Sequence, residues 1–137
     1  AAPAQQTSAR PRDLIDKSRW GAIESKARRN SGGVCAACRA AERELLCLEL
    51  WRFDDEERIQ ELVGVAMFCR MCASVKCAST LPETPLNDAR LEHLARTNEW
   101  SAERALVYAR EAAELADRRR RHPWRLDLGW ATRAGAA

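Results

Sequence analysis

Residues 45–77 read LLCLELWRFDDEERIQELVGVAMFCRMCASVKC, and this stretch decides the fold. From Leu46 onward the side chains alternate. Leu46, Leu48, Leu50 and Arg52 fall on one face of an extended chain, and Cys47, Glu49, Trp51 and Phe53 fall on the other. Period-two spacing with aromatic residues predicts a β-strand over 45–53. Asp54-Asp55-Glu56-Glu57 follows as an acidic connection. Leu62–Phe68 is a short apolar run in which Val63, Gly64 and Val65 disfavour a helix, so it is expected to be the partner strand. It leads directly into Cys69-Arg-Met-Cys72, from which residues 72–79 are expected to start a short helix.

A second pair, Cys35-Ala-Ala-Cys38, stands thirty residues before the first of these cysteines. Two Cys-x-x-Cys pairs can supply four thiolates to one tetrahedral Zn²⁺, and a four-thiolate shell leaves no open position for substrate. Cys35, Cys38, Cys69 and Cys72 are therefore expected to hold a structural zinc ion. Such a staple suits a chain of 137 residues in which Ala supplies much of the 46% hydrophobic content and large apolar side chains are sparse. Six cysteines could instead form three disulfides, but four of them sit at metal-ligand spacing, which favours a reducing compartment. Cys47 and Cys77 remain as small core hydrophobes, with a disulfide or a second metal as the alternative.

The flanks divide the chain into a basic N-terminal arm and short helix over 1–34, a zinc-binding module over 35–80, and C-terminal helices with a Trp-containing tail over 81–137. Residues 1–12 carry two Arg and no acidic residue, and Pro3 and Pro11 break local order. They read as a flexible arm, or as the remnant of an organelle-targeting segment, in a chain whose first residue is Ala and which is expected to have been trimmed or truncated. Asp13–Arg29 has scattered helical spacing interrupted by Gly21, and Asn30-Ser31-Gly32-Gly33 is a turn. Asn87–Thr97 reads as a helix. Ser101 is the N-cap of a longer one running through Arg121, whose Ala-rich face permits close approach to a neighbour. Trp124–Trp130 alternates apolar and polar residues and is expected to be an extended segment docked by its Trp and Leu side chains. No apolar run approaches the roughly 20 residues that a membrane helix needs, so membrane insertion is not expected.

Val34–Ser79 resembles the HNH-type endonucleases, the ββα-metal or His-Me finger proteins. The family pattern has a first Cys-x-x-Cys, then Cys-His-Glu-x-Trp-x-Tyr-Asp-Asp, an apolar Gln-x-Leu-Val-Gly strand, and Cys-x-x-Cys-His-x-Val-Lys-His. The agreement runs through Cys47, Glu49, Trp51, Asp54, Asp55, Gln60, Leu62, Val63, Gly64, Cys69, Cys72, Val75 and Lys76. The resemblance implies a small α+β fold: a zinc-stapled ββα, treble-clef-like module with helical extensions. The departures fall on the chemistry. Leu48, Ala73 and Cys77 stand where the family carries histidines, and the chain's two histidines, His93 and His122, lie outside the motif. In the family one imidazole is the general base on water and others hold a divalent ion at the phosphodiester. Leu and Ala can take neither role. General acid–base catalysis contributes on the order of 10²–10⁴-fold, and losing a metal ligand with it removes more. No catalytic residue is therefore assigned.

Charge is weakly polarised. Residues 1–50 carry nine Lys/Arg and six Asp/Glu, residues 51–100 six and nine, and residues 101–137 eight and five. A net charge of +3 does not by itself specify a nucleic-acid partner. Arg118-Arg119-Arg120-Arg121 is the best candidate for phosphate contact, and equally reads as a solvated helix end whose cations favour the C-terminal dipole. Arg28 and Arg29 form a second patch. Trp124 and Trp130 could stack on bases, although docking on protein is favoured. Asp54 and Asp55 read as turn residues, and Glu49 as a lone carboxylate beside the missing histidine.

The expected function is that of a noncatalytic zinc-binding subunit of a larger protein or ribonucleoprotein assembly, such as a ribosome. A mitochondrial matrix or other organelle is the expected setting, with a bacterial cytoplasm as the alternative. A divergent metal-dependent nuclease and an autonomous nucleic-acid-binding regulator are the competing readings.

Overall fold

The computed structural model describes residues 11–77 and 81–134. Among the described residues the chain is α+β, with six α-helices and one three-stranded sheet. The sheet begins as the expected hairpin. Strand β1 (Leu46–Asp54) runs antiparallel to β2 (Ile59–Phe68), in register from Leu46 opposite Phe68 to Asp54 opposite Ile59. Leu50 faces Gly64 and Trp51 faces Leu62, so Val63 bulges out of the ladder. The bulge shifts the alternation midway along the hairpin. Cys47 is buried and Leu46 exposed, but the residues that follow on both faces are half-buried. The connection is an Asx turn: Asp54 Oδ1 accepts hydrogen bonds from the N–H groups of Glu56 (3.1 Å) and Glu57 (3.0 Å).

Strand β2 starts three residues earlier than its apolar run suggests. These residues pair with Arg52–Asp54 of β1 on one side, and on the other with a third strand, β3 (Arg125–Asp127), which runs parallel to Ile59–Glu61. With β1 on one side and β3 on the other, Gln60 is only 1% exposed. The C-terminal tail is therefore part of the sheet and not an extension laid on it. It also bends sooner than expected. Asp127 Oδ1 accepts the N–H of Gly129 at 2.9 Å, and a short helix, Gly129–Ala134, places Trp130 in helical rather than extended backbone.

The N-terminal part also departs from expectation. Pro11 opens helix α1 (Pro11–Leu14) and is buried, a position where its missing N–H costs nothing. Residues 1–10 of the expected arm lie outside the described residues. Helix α2 (Lys17–Ser31) is capped by Asp16, which accepts from Ser18 N at 2.9 Å and Arg19 N at 3.2 Å, and ends at Gly32 with φ 63°. It passes through Gly21 without a break. A helical Gly costs roughly 1 kcal/mol relative to Ala, whereas burying a large apolar side chain gains about 1.5–3 kcal/mol. Trp20 and Ile23, flanking Gly21, are both buried against Leu62 of β2 and Ala131.

After β2 come α3 (Arg70–Cys77), a 3₁₀ turn at Leu81–Glu83, α4 (Ala89–Asn98) and α5 (Ala102–Arg120), with Gly129–Ala134 as α6. Asp88 caps α4 through Arg90 N at 2.9 Å. Ser101 caps α5 as its sequence indicates, accepting from Arg104 N at 3.1 Å. Leu91 and Ala95 of α4 meet Ala105 and Ala109 of α5 over Leu81. The small side chains allow the two helices to close on each other with little apolar mass. No helix among the described residues is long and apolar enough to cross a membrane.

The end of α5 is latched to the hairpin. Trp124 stands edge-on to Phe53, with ring centroids 5.5 Å apart at 88°, and its Nε1–H donates to the carbonyl of Arg119 at 2.8 Å. The Arg119 guanidinium lies 4.2 Å from the centroid of the Phe53 ring and grips Asp55 with two bonds of 3.0 and 3.1 Å. That hydrogen bond is the main reason the Asp55 carboxyl titrates below its ordinary value. The two partners are not equivalent. Asp55 is more than half exposed and Arg119 is 16% exposed. Asp55→Asn is expected to cost about 0.5 kcal/mol at pH 7, as for other solvent-screened pairs. Arg119→Ala is expected to cost about 1–2 kcal/mol, because it also removes the ring contact and a packed aliphatic stem. Urea unfolding of the two variants checks the order, and equal losses would show that the ring contact adds nothing.

Candidate metal centre

The two Cys-x-x-Cys pairs are positioned by different devices. The first lies in a tight loop closed by the bridge between Val34 and Ala41, with Cys35 N–H donating to Ala40 O at 2.9 Å and Arg39 N–H to Cys35 O at 3.0 Å. Arg39 sits in the left-handed region at φ 67° to complete the turn. Ala36 N–H reaches Met67 O at 2.9 Å, which ties the loop to the end of β2. The second pair starts where β2 ends. Cys69 precedes α3 and Cys72 lies in its first turn, with Cys72 N–H aimed at Cys69 Sγ at 3.3 Å and Ala73 N–H at Cys69 O at 2.9 Å.

These devices bring Cys35, Cys38, Cys69 and Cys72 together with all four sulfurs within 4.8 Å of one another, and Cys38 Sγ stands 3.7 Å from Cys69 Sγ. A tetrahedral ion with 2.3 Å bonds to sulfur requires sulfurs roughly 3.8 Å apart. The four residues fit such an ion in number, spacing and softness, and could hold a metal ion such as zinc. Among the described residues no second group of three or more His, Cys, Asp or Glu side chains is so arranged.

The four thiols do not sit in equivalent surroundings. Burial opposes ionisation of Cys35. Even so, N–H donors from Cys69, Cys38 and Ala37, with the Cys72 thiol, bring it down to about 6. Burial pushes Cys38 and Cys72 up, and neighbouring thiols push Cys72 further. Cysteine binds a metal as the thiolate, so a divalent cation held here would displace the protons of its ligands.

All six cysteines are free thiols. Cys47 is buried in the cluster around the metal ligands, its thiol pushed up to about 11 by that burial and then by Glu24 and Glu49, whereas Cys77 is exposed. The two form neither a disulfide nor a shared site. Leu48 packs half-buried on the same cluster and Ala73 is buried within it, so the two positions lie in apolar surroundings. Glu49 faces Arg12 at 3.7 Å.

Sequence alone missed His93. It lies on α4, its Nε2 is 3.0 Å from Cys72 Sγ, and burial, then Arg96, lower its pKa and favour the neutral ring. Twenty residues separate it from Cys72, and only the packing of α4 on α3 brings it there. A cavity of about 870 Å³ opens beside the cluster and is lined in part by Cys38, Cys69, Arg70, Arg90 and His93.

The expected contact residues scatter. Trp124 is 7% exposed and internal, so its ring is not available to a base. Trp130 is half-buried against Trp20 and Leu62. Arg119 is held by Asp55 and Arg120 is paired with Asp117. Arg28 reaches Leu45 O at 3.2 Å and Glu24 at 3.6 Å, while Arg29 is exposed. The side chains of Arg118 and Arg121 are exposed. Arg118 joins Arg58, Arg119 and His122 around a cleft of about 250 Å³ that contains one carboxylate, Asp55. Arg58 was not singled out in sequence because it is 60 residues away. It sits at φ 57° at the end of the hairpin turn, and its guanidinium lies 5.8 Å from the Trp124 ring centroid. Comparison of the chain with protein-family models, with curated proteins and with solved structures finds no match.

Proposed function

We propose that the protein is a noncatalytic zinc-stapled scaffold that serves as an interaction subunit of a larger, nucleic-acid-containing assembly. In this reading it is a degenerate HNH-type protein: the hairpin, the helix after it and the four thiolates are kept, and the nuclease apparatus is lost. The carrying observation is that Leu48 and Ala73, at two of the family's histidine positions, are packed in the apolar cluster around the thiols. Neither can bind a cation or move a proton, and Cys77 at the third position is exposed. Zinc held by four sulfurs would supply folding energy and leave no site for water activation. Free thiols at metal-ligand spacing favour a reducing compartment.

The face offered to the assembly would be the end of α5. In the cleft Arg119 is already engaged by Asp55, which leaves Arg58 and Arg118 as the cations offered to a phosphate, and exposed Arg121 and Arg125 flank it in sequence. Purification of the native protein with its partners is expected to recover about one zinc per chain and a large ribonucleoprotein particle. Recovery of the free chain alone would defeat the subunit reading. Cleavage of plasmid DNA or RNA in Mg²⁺, Mn²⁺ or Ni²⁺, lost in Glu49→Ala or Cys77→Ala, would establish a divergent nuclease instead. Each phosphate contact contributes roughly one unit to the slope of log affinity against log salt. The double variant Arg118→Ala/Arg121→Ala is therefore expected to lower that slope by about two for RNA. An unchanged slope would place the phosphate contacts elsewhere.

A further inference from the structure

We propose that His93 is an outer-shell partner of the metal, donating its Nε2–H to the Cys72 thiolate, and that this bond couples docking of the α4–α5 hairpin to metal occupancy. The proposal rests on the zinc reading above. A divalent ion with four thiolates carries two net negative charges, and Cys35, Cys69 and Cys72 are nearly fully buried. Buried charge is tolerated only where donors are aimed at it. Cys69 Sγ receives the N–H of Cys72 at 3.3 Å, from within the cluster. Cys72 Sγ stands 3.0 Å from His93 Nε2, the one side-chain hydrogen bond among the described residues that reaches one of these sulfurs from outside the four cysteines.

The position of His93 is fixed by the helix that carries it. Leu91 and Ala95 are buried toward Leu81, Ala105 and Ala109, which sets the rotation of α4. Asp88 caps the helix and holds Arg90 by an ion pair at 3.2 Å, which keeps that guanidinium on its own helix end. Val75 of α3 packs against the same cluster, and His93 is the residue of α4 whose side chain reaches Cys72. A hydrogen bond to a thiolate is stronger than one to a thiol, so metal binding, which makes Cys72 a thiolate, strengthens the contact that seats the hairpin. Linkage makes the effect reciprocal: the seated hairpin raises metal affinity by the same factor.

The test uses His93→Leu, which keeps bulk and removes the donor, and His93→Gln, whose side-chain amide nitrogen can stand in for Nε2. Zinc affinity is measured in the full chain by competition with a chromophoric chelator. Loss of an outer-shell partner typically weakens metal binding roughly 10- to 100-fold. His93→Leu is expected to fall in that range and His93→Gln to stay within about threefold of the parent. Cobalt substituted for zinc provides a signature that simple loss of packing does not move: the sulfur-to-cobalt charge-transfer band should shift in His93→Leu and return in His93→Gln. With zinc bound, amide exchange in residues 89–98 should rise in His93→Leu while that of residues 46–68 holds. Parental affinity and spectrum in His93→Leu would overturn the proposal. If His93→Leu does not fold, a His93→Gln protein that binds zinc more than tenfold more weakly than the parent would overturn it equally. A parent chain that binds no zinc at all would be a different result, overturning the zinc reading from which the proposal starts.

Discussion

Serine in place of Cys69 is expected to abolish metal binding and, with it, the cooperative fold around the hairpin. Structural zinc in small Cys/His sites is worth about 10–16 kcal/mol near pH 7, and a domain of ordinary stability holds about 5–15 kcal/mol in all. The comparison is decisive here because of what the core is made of. The largest buried cluster contains Cys35, Cys47, Cys69 and Cys72 beside only three large apolar side chains, Leu45, Met67 and Phe68. Without a cation the four thiols are small, polarisable groups, and they replace little of the apolar area a core of this size needs. Thermal unfolding by circular dichroism, with and without a strong chelator, measures the effect. Cys77→Ser, at an exposed thiol, should leave the transition in place. A Cys69→Ser protein that melts with the parent would show that the hairpin stands on side-chain packing alone.

The four-cysteine cluster and the hairpin were legible because their signals are local. Two Cys-x-x-Cys pairs, an alternating run from Leu46 and an acidic turn at Asp54 each carry their meaning within a few residues, as does the Ser101 cap. The missed features are all products of distant packing. Ile59, Gln60 and Glu61 carry too little apolar character to announce a strand, and are held between Arg52–Asp54 on one side and Arg125–Asp127 on the other. Gly21 stops a helix by propensity, yet Trp20 and Ile23 on either side of it find a core. The same holds at the candidate site. His93 has no sequence relation to Cys72, and Arg58 none to Arg118. The four-arginine run was visible as charge, but that Asp55 of the hairpin holds one of its guanidiniums depends on where α5 ends, while Arg120 pairs with Asp117 within the helix.

Trp124→Ala is expected to cost about 3–5 kcal/mol, the usual range for removing a buried Trp or Phe side chain, and to separate the tail from the sheet. The indole fills the junction of β1, β3 and the end of α5. It is edge-on to Phe53, its N–H satisfies the Arg119 carbonyl, and the strand that completes the sheet begins at the next residue. Truncation leaves a cavity that none of these elements can close by a side-chain rotation, and it loosens the backbone that aims Arg118 and Arg119 into the cleft with Arg58 and His122. Phosphate binding at the cleft should therefore weaken in Trp124→Ala although no cation has been changed. Arg118→Ala/Arg121→Ala should weaken binding with stability intact, because both side chains are exposed. Trp124→Phe separates packing from base recognition. It keeps most of the ring area and loses the donor, so it should retain most of the stability and the phosphate binding together. A ring that stacked on a base would instead lose binding in Trp124→Ala without loss of stability. Urea unfolding and salt-dependent RNA binding on the same four proteins distinguish the two. A Trp124→Ala unfolding free energy within about 1 kcal/mol of the parent would mean that the tail is held elsewhere and that the latch between hairpin and α5 is dispensable.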